Sequence, residues 1–286
     1  MDVCNINDIK SLLSRHEFHF SKSMGQNFLI QSWVPEDIAA ASGADKNCCV
    51  LEIGPGIGPL TRQLSDRAGK VVAVELDRSL LPILAETLEG RDNVQIISGD
   101  IMKLDIPTLV KEHFNDLRPV ACANLPYNIT TPVITALIES GCFEAITVMI
   151  QREVALRICA APGSSDYGAF SVFVQYHAAP ELLFDVPNTC FLPAPKVTSS
   201  VLRIVPRPTP DDVEDEEFFF RVVRAAFAQR RKTLLNSLSS ALGAPFTKEQ
   251  ISGAIADCGL PPTIRGERLG IREFACLARS LKTRSL

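Results

Sequence analysis

Asn124-Leu125-Pro126-Tyr127 is the tetrapeptide of this chain whose residue types could act on an amine. An exocyclic amine on adenine is a poor nucleophile, because its lone pair is delocalised into the ring. The Asn124 side-chain oxygen and the backbone carbonyl of Leu125 or Pro126 are two acceptors that could hold both N–H groups and turn the lone pair towards a methyl donor. Pro126 fixes the turn, and the Tyr127 ring can stack on the base. A plainer reading is a proline turn that ends a strand over a buried tyrosine. Against it, Asn124, Pro126 and Tyr127 fall together at the carboxyl end of the strand Pro119 to Ala123.

A second constellation runs from Val50 to Asp77, VLEIGPGIGPLTRQLSDRAGKVVAVELD. Val50, Leu51 and Ile53 read as a buried strand that stops at Gly54, and Gly56 and Gly58 follow at every second position. Such a turn lets backbone approach a ligand closely. Helical spacing from Leu60 to Leu64 and the run Val71, Val72, Val74 complete a βαβ unit with a right-handed crossover. Glu75 and Asp77 fall at the carboxyl end of its second strand, where open α/β sheets place ligands and a carboxylate suits a ribose hydroxyl pair. A dinucleotide fold carries its third glycine one place later, to seat a pyrophosphate on the helix N-terminus. The G-x-G-x-G pattern favours a nucleoside cofactor without phosphates, such as S-adenosylmethionine, over a nicotinamide cofactor.

The surrounding elements repeat the alternation. A helix near 79 to 89 and a strand from Val94 to Ile97 lead to Gly99-Asp100, where Asp100 could accept a hydrogen bond from an adenine amino group. A helix over 131 to 139, a strand over 143 to 150 and a helix from Arg152 to Cys159 extend the doubly wound pattern. Ahead of them, residues 7 to 16 read as an amphipathic helix capped by Asn7 or Asp8, and 35 to 42 as a second helix. Between these lies Ser21-Lys22-Ser23-Met24-Gly25-Gln26-Asn27-Phe28-Leu29, a surface loop or a lid over the cofactor.

The segment 164 to 177 fits a buried helix with Tyr167, Phe170, Phe173 and Tyr176 in the core. Phe191 stands in the proline-fixed FLPAPKV loop before a last strand, 199 to 205, and could form the second face of a base sandwich with Tyr127. Pro206, Pro208, Pro210 and the acidic run Asp211 to Glu217 mark a linker, after which the chain is helical. From Pro206 onward the net charge is +3, against −7 in the first 205 residues. Arg221, Arg224, Arg230, Arg231 and Lys232 are read on one helix with no acid among them, either a solvated face or a site for phosphate.

A net charge of −4 excludes a uniformly basic nucleic-acid coat, and 46% hydrophobic residues suffice for a sizeable core. Nine cysteines form no C-x-x-C pair, which suggests reduced, buried thiols of a cytosolic protein. The four histidines show no metal-ligand spacing, and no metal site is expected. No apolar stretch is long enough to span a membrane.

With SKSMGQNFL, LEIGPGIGPLT, VELD, GD at 99 to 100, NLPYNITTP, MIQREVALR, FLPAPKVTS and RAAFAQRRKTLLNSL in place, the chain resembles the ribosomal RNA adenine dimethyltransferases from about Ser21 to Leu281. The likeness is to the bacterial small-subunit enzymes, with the antibiotic-resistance large-subunit methylases as cousins. It implies an α/β fold, a Rossmann-like seven-stranded S-adenosylmethionine-dependent methyltransferase domain over 1–206 and a small C-terminal helical RNA-binding domain over 207–286. By the same resemblance Asn27, Leu29, Gly54, Glu75, Asp100 and Asn124 contact the cofactor, and Asn124 also contacts the target base. Met24 replaces a usual leucine, and Gly266 and Gly270 replace small residues, all matters of local packing.

The implied activity is N6,N6-dimethylation of two adjacent adenosines in a hairpin near the 3′ end of 16S rRNA, within the immature small subunit, by a cytoplasmic monomer. A 23S rRNA methylase shares nearly every motif, but the FLPAPKV loop and the long helical domain favour the small-subunit enzyme. An oxidoreductase leaves NLPY without a purpose. A ribosome-assembly factor that acts by RNA binding is the remaining alternative.

Overall fold

A computed structural model of the chain describes residues 1–21 and 25–284. Its contacts separate into two compact units, Met1–Ala155 with Ala179–Pro206, and Leu156–Ala178 with Arg207–Leu286. The first unit holds α1 (Ile6–Arg15), β1 (Phe28–Leu29), α2 (Trp33–Ala41), β2 (Cys48–Ile53), α3 (Pro59–Arg67), β3 (Lys70–Glu75), α4 (Leu81–Thr87), β4 (Val94–Ser98), α5 (Ile106–His113), β5 (Arg118–Asn124), α6 (Thr130–Glu139) and β6 (Ala145–Gln151). The division falls within α7 (Arg152–Cys159); α8 (Ala169–His177) lies in the second unit, and β7 (Ala178–Val186), β8 (Phe191–Leu192) and β9 (Ser199–Pro206) return to the first.

Seven strands form one sheet in the order β4-β3-β2-β5-β6-β9-β7. β4, β3, β2, β5 and β6 are parallel, and β9 runs antiparallel to β6. Every position of β2 is buried, as a central parallel strand covered on both faces requires. The order reverses between β3 and β5 on either side of β2, which opens a crevice at the carboxyl ends of β2 and β5. The turn after β2 and the tetrapeptide after β5 therefore face the same crevice. β7 is a strand that hydrophobic pattern does not reveal. It lies at the sheet edge, contains Pro180 and is mostly accessible, so no alternation marks it.

One apolar layer joins Val34 and Ile38 of α2 and Leu60 and Leu64 of α3 to Val50, Val71, Val120 and Met149 of the sheet. Another packs Ile9, Leu12 and Leu13 of α1 against Phe28, Ile57, Leu80 and Ile83, which anchors the N-terminal segment to the glycine turn. The cap of α1 is Asn5, ahead of the expected residues, and its side chain accepts from the Asn7 and Asp8 amides.

The second unit adds α9 (Glu216–Phe227), α10 (Leu234–Leu242), α11 (Lys248–Asp257) and α12 (Ile271–Arg284) to α8. Asp215 caps α9 by accepting from Phe218 N, with Glu216 and Glu217 in the first turn, so part of the acidic run is a helix start. Leu156–Ala178, expected in the first domain, belongs to this unit. The cause is burial: Tyr167, Val172 and Tyr176 share its core with Phe219, Phe220, Leu238 and Phe274, and the Tyr176 and Phe219 rings lie 5.0 Å apart.

The expectation that every cysteine is reduced also needs correction. Cys258 and Cys276 are disulfide-bonded, with their Cα atoms 5.9 Å apart. Side-by-side packing of α11 and α12 brings them together, and a separation of 18 residues matches no spacing motif. The other seven cysteines are free. Among the described residues no helix is long and apolar enough to cross a membrane, and no group of three or more His, Cys, Asp or Glu could hold a metal ion.

Candidate functional site

A cavity of about 160 Å³ opens at the carboxyl ends of the parallel strands of the first unit. Its lining contains Asn27, Leu29, Gly54, Gly56, Glu75, Asp100, Asn124, Leu125, Pro126, Tyr127 and Phe191. The residues expected at the cofactor and target base thus meet in one place.

The floor is the glycine turn. Gly54 and Gly56 have φ of +68° and +62°, a conformation that side-chain-bearing residues seldom adopt. A Cβ on Gly56 would also stand 3.3 Å from the Phe28 ring. Glu75 ends β3, 6% exposed. Its Oε1 accepts from Asp77 N at 2.8 Å and its Oε2 from Gly56 N at 3.2 Å. Burial raises its pKa, while these backbone donors hold it back. Each oxygen keeps acceptor capacity towards the cavity. Asp77, the other acid at this strand end, is already engaged. Its Oδ1 accepts from Ser79 N and Oγ, and its Oδ2 from Gln26 Nε2 at 2.6 Å.

That last bond straps the N-terminal segment over the strand ends. Gln26 Oε1 accepts from Ser21 N, and Asn27 Nδ2 donates to Gly25 O. Lys22, Ser23 and Met24, expected in the same segment, lie outside the described residues. β1 then pairs with β8, Leu29 opposite Phe191 and Phe28 opposite Leu192. This small ribbon carries Phe191 to the cavity wall. At the next strand end, Asp100 Oδ1 accepts from Met102 N at 3.0 Å, and Oδ2 lies 3.9 Å from Lys103 Nζ.

Asn124 closes β5, and its side-chain amide makes no hydrogen bond to any described residue. Of the two carbonyls that might complement it, Pro126 O accepts from Ile129 N and Thr130 Oγ1 in the turn leading to α6. Leu125 O meets no donor among the described residues. The unoccupied acceptors at this corner are therefore the Asn124 oxygen and Leu125 O. Tyr127 is half-buried, with its hydroxyl 2.7 Å from Ser199 Oγ. Its ring and that of Phe191 line one cavity without packing on each other.

Leu76, Ile101 and Glu52 also line the cavity and escape a motif-based reading. Leu76 is 52% exposed at the rim, between Glu75 and Asp77, and Ile101 follows Asp100. An apolar side chain between two acids at a strand end was the available signal. Glu52 is a fully buried acid within an otherwise apolar strand, which was a signal too.

The basic residues of the second unit do not share one helix. Arg221 and Arg224 lie on α9, while Arg230, Arg231 and Lys232 occupy the turn before Thr233, whose side chain caps α10. Lysine and arginine are good helix formers and hide such a break. Two of the five have internal tasks. Arg221 donates to Leu242 O, and Arg230 donates to Ser165 O and Tyr167 O and pairs with Glu267. Arg224, Arg231 and Lys232 are exposed, and their side chains make no hydrogen bond or ion pair among the described residues.

Residues 17–258 match the ribosomal RNA adenine dimethylase family. The chain is 46% identical over 286 residues to the ribosomal RNA small subunit methyltransferase A of Streptococcus equi subsp. zooepidemicus (strain MGCS10565), covering 99% of each. It is 47% identical over 284 residues to that of Geobacillus thermodenitrificans (strain NG80-2), covering 98% of this chain and 97% of the relative. Among solved structures, a dimethyladenosine transferase from Plasmodium falciparum shares the fold with a TM-score of 0.73 at 23% identity, over 90% of this chain and 98% of that one. The 23S rRNA methyltransferase ErmE superposes with a TM-score of 0.67 at 25% identity, over 90% of this chain and all of that one. With the family match spanning most of its length and full-length relatives nearly half identical, this chain belongs to the ribosomal RNA adenine dimethylase family.

Proposed function

We infer that this chain is an S-adenosylmethionine-dependent enzyme that dimethylates N6 of two adjacent adenosines near the 3′ end of 16S rRNA. The observation that carries the chemistry is the pair of unoccupied acceptors, Asn124 and Leu125 O, at the rim of a nucleoside-sized cavity. The likeness to small-subunit methyltransferases at 46–47% identity, against 25% for a 23S enzyme, supports the choice of RNA.

The cavity fits the cofactor on its own evidence. Gly54 and Gly56 line it with left-handed, side-chain-free backbone, Glu75 keeps acceptor capacity, and a buried oxygen of Glu52 has no partner. Glu75 would take the ribose hydroxyls and Asp100 the adenine amino group, with Leu76 and Ile101 covering the ring, Asn27 and Leu29 closing from the N-terminal side and Asn124 reaching both cofactor and base. S-adenosylmethionine, when bound, supplies a methyl already activated by its sulfonium. The protein therefore needs no nucleophile. Asn124 and Leu125 O accept the two amine N–H groups and free the lone pair, while Tyr127 and Phe191 grip the base. Asn124 cannot take the departing proton, which is lost to water. After one methylation a single N–H remains, so one acceptor must tolerate a methyl.

Arg224, Arg231 and Lys232 would contact RNA phosphates, with Arg221 and Arg230 holding the surrounding backbone. The reading includes a monomer acting in the cytoplasm on the immature small subunit. Mass spectrometry of both small- and large-subunit rRNA after incubation with the protein and labelled cofactor tests it. Two dimethylated adenosines in the 3′ hairpin are expected, and label only in 23S rRNA would overturn it.

A further inference from the structure

Glu52 is the ionisable group of the cavity for which methyl transfer has no stated use. It lies on β2, two residues before the glycine turn, 1% exposed and yet part of the cavity lining. Its Oε2 has no hydrogen-bond partner, and neither has the hydroxyl of Thr61, which faces it from α3. The titratable groups that act with it are acids: Glu75 from β3 and the Cys122 thiol from β5. No lysine or arginine forms an ion pair with it among the described residues. Burial first, and then Glu75, push its carboxyl up to about 8, although Thr61 sits close enough to favour the charged form without meeting it in a hydrogen bond. In the free protein at neutral pH this side chain is a neutral acid with an unoccupied oxygen.

We propose that Glu52 is the counter-ion for a cation of S-adenosylmethionine, and that cofactor binding discharges its proton to solvent. This rests on the reading that the cavity holds that cofactor. Glu75 is less suited to the task, because backbone amides already engage both its oxygens. The cofactor carries two cationic groups, a sulfonium and an α-ammonium. Either one, brought against a carboxyl in a poorly solvated cavity, favours the ionised form. The Glu52 O–H bond breaks, the proton passes to buffer, and the carboxylate remains beside the cation.

Calorimetric titration of the full chain with S-adenosylmethionine at pH 7, in phosphate and in Tris, reads the proton directly, because the two buffers differ in ionisation heat. The expected result is release of nearly one proton per cofactor bound. The sign follows from linkage: below about pH 8 binding must first ionise Glu52, so the affinity rises nearly tenfold per pH unit from pH ~6 and levels off above that value. Glu52→Gln should bind about tenfold or more weakly, with no proton release and no pH slope. A parallel titration with S-adenosylhomocysteine, which lacks the sulfonium, assigns the cation. Release with both ligands indicates the ammonium, and release with S-adenosylmethionine alone the sulfonium. Binding by the unaltered protein without proton release overturns the proposal and needs no variant. Absence of any binding overturns the cofactor reading along with it.

Discussion

The Tyr127 hydroxyl meets Ser199 Oγ at 2.7 Å, joining the tetrapeptide after β5 to the first residue of β9. Ser199 is fully buried, so the contact fixes the ring from its far end. It also takes the hydroxyl out of the running as proton acceptor. Burial raises the Tyr127 pKa, and the bond to Ser199 works against that rise without cancelling it.

Tyr127→Phe and Ser199→Ala should therefore have similar, modest effects, each removing one hydrogen bond worth about 0.5–1.5 kcal/mol of fold stability and loosening the ring. Tyr127→Ala should lose roughly 1–3 kcal/mol of base binding. A double variant, Tyr127→Phe with Ser199→Ala, should cost little more than either alone, since both delete the same hydrogen bond. Thermal melts and RNA-binding titrations check the ordering. Fully additive losses would mean that the two side chains act separately.

Glu75→Ala should weaken cofactor binding by about 1.5–3 kcal/mol for each charge-assisted hydrogen bond removed. The variant should also melt earlier, because the Gly56 and Asp77 amides lose their acceptor. Unchanged calorimetric affinity in a folded variant would assign the ribose hydroxyls to another residue.

Gly54, Glu75, Asp100 and Asn124 were legible because each lies at or just past the carboxyl end of a parallel strand, and strand ends can be read from apolar runs bounded by polar residues. Leu29 and Phe191 illustrate the opposite. They meet through a ribbon of two-residue strands drawn from distant parts of the chain, and pairing that short leaves no periodicity. Choosing Leu125 O over Pro126 O required seeing which carbonyl the next turn consumes. The allocation of Leu156–Ala178 to the second unit is set by tertiary burial of Tyr167 and Tyr176, which helical spacing alone does not assign to either core.

Replacing Arg224, Arg231 and Lys232 together with Gln should weaken RNA binding and reduce its salt dependence by about 0.7–0.9 in log–log slope for each phosphate no longer neutralised. Melting temperature and cofactor affinity should hold. Arg230→Gln should behave differently, destabilising the protein by about 1 kcal/mol per broken hydrogen bond to Ser165 or Tyr167. An unmoved salt slope in the triple variant would make those charges a solvated face.

The Cys258–Cys276 bond closes a loop that contains Ile264, whose carbonyl accepts from Leu234 N, and Glu267, which pairs with Arg230. Loop closure over a separation of 18 residues should contribute about 3 kcal/mol to stability in the chain-entropy account. Alkylation of the unfolded, unreduced protein should label the seven free cysteines and spare these two. Reduction should lower the melting temperature, and Cys258→Ser should abolish that effect. Labelling of all nine cysteines before reduction would show the pair to be thiols.

Asn124→Ala tests the chemical core. The Asn124 amide bonds to no described residue, so its removal should leave fold stability almost unchanged. Gly54, Glu75 and Asp100 still line the cavity, so cofactor binding should be reduced yet measurable. Single-turnover methylation should fall much further, by about 10²–10³, the typical effect of deleting one positioned polar group at a reacting centre. Asn124→Asp, which keeps an acceptor oxygen in nearly the same place, should lose less than the alanine variant. Rapid-quench measurement with saturating cofactor separates this loss from weaker binding. If Tyr127→Phe proved as damaging as Asn124→Ala in that assay, the hydroxyl would have a direct part in proton removal, and Asn124 with Leu125 O would not be the principal polarising pair.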